Sequence, residues 1–78
     1  MEELNAVLQA IRGLCSLRGE TDAVAIAQRV GLHRDRVCEL LEEIDRLGLA
    51  AMEEFEFSCS VEYTVFGLTD AGTRQLSE

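Results

Sequence analysis

TDAVAIAQRVGLHRDRVCELLEEIDRLG, residues 21–48, decides how this chain folds. In its second half, apolar residues recur at the three- and four-residue spacing of a helix. They are Val37, Leu40, Leu41, Ile44 and Leu47. A shorter apolar pattern precedes them, with Thr21 or Asp22 as its N-cap, and Gly31 follows as a residue that turns left-handed without steric cost. The stretch predicts two helices joined by a tight turn.

Periodic patterns on both sides of this stretch predict the remaining elements. Upstream, an apolar stripe from Leu4 to Cys15 predicts a helix that ends at Gly19. Downstream, residues 49–68 change to an alternating pattern that predicts two strands of a hairpin around Ser58, Cys59 and Ser60. Residues 69–77 predict a short terminal helix. The core is expected to take most large aliphatic side chains, helped by the aromatic residues Phe55, Phe57, Tyr63 and Phe66.

Composition predicts a single globular domain over residues 1–78, with 47% hydrophobic and 28% charged residues. No apolar run approaches the roughly 18 residues of a membrane span, and the N-terminus lacks the pattern of a signal peptide. A cytoplasmic protein is therefore expected. Cys15, Cys38 and Cys59 match neither a zinc spacing nor a disulfide framework. We interpret them as reduced thiols, with Cys15 in the core and Cys59 at a loop tip.

The catalytic repertoire of the chain is small. It has one histidine, no glycine-rich phosphate loop, and no nucleophile paired with a base. His33 and Cys38, five residues apart on a helix, do not share a face and are not expected to bind a metal together. The sequence predicts a protein that is not an enzyme and that has no cofactor.

Order and spacing together resemble the small winged helix-turn-helix regulators of bacteria and archaea. The matching segments are Thr21 with Ala25–Ala27, Gly31–Leu32, the stripe from Val37 to Leu49, and Leu68–Gly72, which is similar to the L-T-x-x-G that follows the wing in such proteins. The resemblance implies a mainly α fold with a small β-hairpin (α+β). It implies a helix-turn-helix at 21–48, a wing at 49–68 and a C-terminal helix at 69–77. It also implies a transcriptional regulator that binds double-stranded DNA, in the form of a homodimer.

The candidate DNA-binding residues are mainly basic, whereas the rest of the molecule is acidic. In this family the helix over 34–47 lies in the major groove, so the resemblance places His33, Arg34 and Arg36 near the bases, with Arg29 close by. However, the formal net charge is −8, and residues 37–78 contain ten acids against Arg46 and Arg74. Carboxylates on this helix repel phosphate, and the wing has no basic residue.

An alternative follows from this acidity. The chain is then an acidic winged-helix protein–protein interaction module that does not bind DNA and that meets a basic protein partner. The candidate residues for that surface are Glu39, Glu42, Glu53, Glu54 and Glu56. Arginine pairing with nearby carboxylates on a solvated surface would favour this alternative. Both hypotheses remain open at the level of sequence.

Overall fold

The computed structural model describes residues 2–58 and 60–77, so the prediction about Cys59 lies outside the described residues. The elements in chain order are α1 (Glu2–Arg18), β1 (Thr21–Asp22), α2 (Ala23–Val30), α3 (Arg34–Arg46), β2 (Ala50–Phe57), β3 (Ser60–Leu68) and α4 (Asp70–Ser77). This is the predicted order of helices and hairpin, with one additional short strand. None of the described helices is long and apolar enough to cross a membrane.

The turn between α2 and α3 forms as the sequence predicts. Asp22 is the N-cap of α2, and its carboxylate accepts a hydrogen bond from the amide of Ala25 at 2.8 Å. Gly31 ends α2 with φ 73° and donates its own amide hydrogen to the Ala27 carbonyl. This left-handed backbone conformation favours glycine. The turn sets α3 in place against α1 and α2.

Aliphatic side chains of the helices fill the core. The fully buried large residues are Val7, Leu8, Ile11, Ile26, Val37, Leu41, Ile44 and Val65. Seven of these lie on α1, α2 and α3, on the stripes predicted from their spacing. Leu47 is an exception, since it lies at the C-cap of α3 and is 53% exposed.

The sheet has a strand that the sequence pattern did not predict. Its strand order is β1-β3-β2, and β1 pairs antiparallel with β3 through Thr21 with Val65 and Asp22 with Thr64. Two residues that act only as candidate caps in the sequence therefore also form a strand. This pairing joins the start of the helix-turn-helix to the wing, which is the hairpin β2–β3.

The expectation that the wing aromatics help to form the core is wrong for three of the four. Tyr63 is buried, but Phe55, Phe57 and Phe66 are 43%, 60% and 44% exposed. Because neighbouring strand residues alternate between faces, these three side chains lie opposite the buried Tyr63 and Val65, on a face that no described layer covers. The register between β2 and β3 shifts between Ala51 and Met52, so the alternation of faces is interrupted there.

Thr69 and Gly72 attach the start of α4 to the loop that precedes β2. The Thr69 hydroxyl donates to the Gly48 carbonyl at 2.6 Å and accepts from the Gly72 amide at 3.2 Å, which caps α4. Gly72 is buried, and a Cβ atom there would collide with the carbonyl oxygen of Leu49. The resemblance to L-T-x-x-G thus corresponds to a cap and a close backbone contact.

Candidate nucleic-acid interface

His33 is the N-cap of α3, a position at which Ser or Thr is usual. Its Nδ1 accepts a hydrogen bond from the amide of Asp35 at 3.1 Å, and the Asp35 carboxylate lies 3.8 Å from the same nitrogen. Both side chains are exposed. His33 is therefore positioned at the solvent-facing N-terminal end of α3, where the helix dipole is positive.

Arg34 connects α3 to the wing. Its Nη2 donates a hydrogen bond to the carbonyl of Val61, on β3, at 2.8 Å. The side chain is half-buried, and its partner Val61 lies three residues before Thr64, at which the pairing of β1 with β3 ends. Arg34 thus has a structural contact that the sequence does not reveal.

Arg36 is paired with two carboxylates. Its Nη2 lies 2.8 Å from Oε1 of Glu3 on α1, and its Nη1 lies 3.2 Å from Oε2 of Glu39 on α3. The hydrogen bond that Arg36 donates to Glu3 is the main reason that the pKa of Arg36 is raised. All three side chains remain exposed to solvent. The two carboxylates neutralise the charge of Arg36, but its guanidinium remains accessible to solvent.

Arg29 packs beside α1. It lies in the last turn of α2, and its guanidinium covers Gly13 of α1, where an added Cβ would be 2.9 Å from Nη2. Of the predicted DNA-binding residues, His33, Arg34 and Arg36 share the start of α3, but the side chain of Arg34 reaches Val61 on β3 and that of Arg36 reaches Glu3 on α1. Arg29, like Arg36, has its contact on α1.

An acidic groove of about 480 Å³ lies between α3 and the wing. Its lining residues are Glu39, Glu42, Glu43, Asp45, Arg46, Glu54 and Tyr63. The Tyr63 hydroxyl donates to Oε1 of Glu54 at 3.2 Å. Burial, together with the Glu54 carboxylate, raises the pKa of Tyr63 to about 12. Arg46 is paired with Glu43, so the groove keeps a net negative charge.

The residues of the alternative surface divide between two sides of the wing. Glu39, Glu42 and Glu54 line the groove, and Glu54 lies opposite Tyr63 in the register. Glu53 pairs instead with Thr64, so it is on the outward side, because neighbouring strand residues alternate between faces. Glu56 is on the groove side, nearer the tip, opposite Val61.

Three groups at the site were not found from the sequence. Glu3 is separated from Arg36 by 33 residues and lies on the solvated face of α1. The carbonyl of Val61 has no side-chain signature, and Tyr63 has the same alternating pattern as its exposed aromatic neighbours. Among the described residues, no group of three His, Cys, Asp or Glu is arranged to hold a metal ion.

The chain is similar to a known protein in its fold. No protein-family model matches the chain, and no curated protein matches it. Among solved structures, it is similar to Bacillus subtilis PadR in complex with operator DNA, with a TM-score of 0.71 and 17% sequence identity. The match covers 96% of this chain and 44% of that chain, so this chain spans less than half the length of that protein. The chain has the winged-helix fold, mainly helical with a small sheet.

Proposed function

We propose that the protein is a non-enzymatic, DNA-binding transcriptional regulator that uses the N-terminal end of α3. The observation that carries this proposal is the fold, which is similar over 96% of the chain to a protein solved with operator DNA. The positions that meet base edges in such helices hold His33, Arg34 and Arg36. These three residues lie at the one end of α3 that is not dominated by acids.

Binding at this end requires an exchange of partners. Arg36 leaves Glu3 and Glu39 for a phosphate or a guanine edge, which arginine recognises with two parallel hydrogen bonds. Exposed ion pairs contribute little to stability, so this exchange is not strongly opposed. Arg34 keeps the hydrogen bond from its Nη2 to the Val61 carbonyl, which holds the wing beside the helix, and meets the DNA through its other guanidinium N–H groups. The acids along the rest of α3 confine the contact to its first turn.

The pairing of Arg36 with Glu3 supplies a direct test. Glu3→Gln removes one of the two carboxylates paired with Arg36, so it should tighten binding to duplex DNA severalfold, as measured by fluorescence anisotropy. Glu2→Gln is the matched control, because it makes the same change in net charge on the same turn of α1 and should have a much smaller effect. Arg36→Ala should weaken binding and lower the slope of log affinity against log salt by about 1.

Two results would contradict the proposal. The first is no binding of the wild-type protein to duplex DNA at micromolar protein and about 50 mM salt, where phosphate attraction is strong. The second is equal tightening by Glu2→Gln and Glu3→Gln, which would make the effect one of total charge.

We also propose that the regulator acts in the cytoplasm as a homodimer. Two copies related by a twofold axis would present two α3 helices to half-sites about one helical turn apart. Sedimentation equilibrium measures the mass directly, and binding to a palindromic site should then be steeper than to a half-site.

A second candidate function is a protein-interaction module. It is favoured by the acidic groove and by the internal partners of Arg34 and Arg36. Glu39→Lys with Glu42→Lys separates the two candidates, because the change should strengthen DNA binding through α3 but weaken binding of a basic polypeptide. Glu20→Lys, exposed between α1 and β1, makes half of this change in net charge, so twice its effect is the control for net charge.

A further inference from the structure

Strand β2 is an edge strand of a length that can pair with another chain. It spans eight residues and is last in the order β1-β3-β2. On its outer side, no strand from residues 2–58 or 60–77 pairs with it. Alternate residues of such a strand direct amide and carbonyl groups away from the sheet, where they can form hydrogen bonds with an added strand.

The two faces beside this edge differ in chemistry. Phe55 and Phe57 lie on the outward face, where they are 43% and 60% exposed. Glu54 and Glu56 alternate with them on the opposite face. That face continues into the acidic groove, in which Glu42 of α3 lies beside Glu54. A strand added at this edge would meet the rings of Phe55 and Phe57, with Glu53 beside them, on one face and the carboxylates of Glu54 and Glu56 on the other.

We propose that the free edge of β2 binds an extended segment of a partner protein in which basic and apolar residues alternate. The segment adds a fourth strand, with its apolar side chains against Phe55 and Phe57 and its basic side chains toward Glu54, Glu56 and the groove. The inference extends the second candidate function by naming the surface and the partner. It is also compatible with DNA binding, because the edge of β2 does not include the arginines at the start of α3.

Charge argues for a basic partner rather than a second copy of this chain. Edge strands are commonly protected by lysine or by shortness, whereas β2 carries three glutamates and no basic residue. Two copies joined at this edge would bring six carboxylates together, and like charges opposite each other destabilise paired strands. A basic segment neutralises these charges.

The test uses the whole chain and a synthetic peptide of alternating arginine and valine, matched to the eight residues of β2. Binding is measured by fluorescence anisotropy at increasing salt. Phe55→Ser with Phe57→Ser should weaken it about tenfold or more, as expected when aromatic anchors are truncated. Phe66→Ser is the matched control, since Phe66 is 44% exposed but lies on the central strand, and it should leave binding unchanged.

A peptide with the same residues arranged in two blocks retains the charge but loses the alternation, so it should bind about tenfold more weakly or worse. In the complex, hydrogen exchange should slow at the outward amides of β2. Equal binding of the block peptide, equal loss with Phe66→Ser, or no change in exchange at β2 would overturn the proposal. So would a wild-type dimer that Phe55→Ser with Phe57→Ser converts to a monomer. DNA binding of these variants, measured in parallel, reports separately on the first candidate function.

Discussion

Both the helical core and the wing contain large apolar residues, but most of these are buried in the core and exposed on the wing. Along α3, apolar side chains at helical spacing are all buried until Leu47 at its end. Along β2, Ala50 is buried and Met52 is half-buried, but every residue from Glu53 to Phe57 is exposed. Periodicity indicates burial only where another layer covers the element. The helices cover one another, whereas one face of the hairpin has no described layer over it.

The largest expected effect is at the centre of the core. Ile44→Ala removes a fully buried side chain from α3 and should lower the free energy of unfolding by about 2–5 kcal/mol, through lost burial and a residual cavity. Urea denaturation followed by circular dichroism measures this change. A loss below about 1 kcal/mol would contradict the assignment of α3 to the core.

A substitution at Gly72 tests the close contact between α4 and Leu49, at the edge of the core. Gly72→Ala places a methyl group against the Leu49 carbonyl, and because backbone atoms move little, it should cost about 1–3 kcal/mol. Ala71→Gly, at an exposed position on the same helix, is a control for helix propensity. If the methyl group were accommodated without loss of stability, the close contact between α4 and Leu49 would be wrong.

Tyr63 sharpens the comparison because it is the buried aromatic residue of the wing. Its pKa is raised to about 12 in the folded chain from an ordinary value of 10. An unfolded chain therefore ionises first, so the stabilising contribution is complete below about pH 10 and is lost as pH rises to about 12. Absorbance titration of the phenol checks the pKa. Tyr63→Phe should flatten the decline in stability over this range, and an unchanged decline would assign it to other groups.

The smallest effect is expected at the tip of the wing. Phe57→Ser, at a side chain that is 60% exposed, should change the free energy of unfolding by no more than about 0.5 kcal/mol, as most surface substitutions do. Thermal unfolding by circular dichroism measures it. A loss as large as that of Ile44→Ala would place Phe57 in a packed environment and remove the difference between the two regions.

The same contrast explains how much could be predicted from the sequence. Helix stripes, the Asp22 cap and the Gly31 turn depend on neighbouring residues, so local patterns were sufficient for them. Strand β1 was not predicted, because a two-residue strand forms only when a distant partner such as Val65 is available. At the candidate site, the arginines were identified from their position on α3. Their contacts with Glu3 and Val61 cross the fold and have no local pattern.

Strand β1 also has a consequence for the order in which the chain folds. The β2–β3 hairpin and the pair α2–α3 join near neighbours, but Thr21 pairs with Val65 across most of the chain. Closing so long a loop costs entropy before the contacts compensate for it, so we expect β1 to join the sheet last. Thr21→Ala should then speed unfolding and leave refolding unchanged in stopped-flow measurements, whereas slower refolding would place β1 in the folding nucleus.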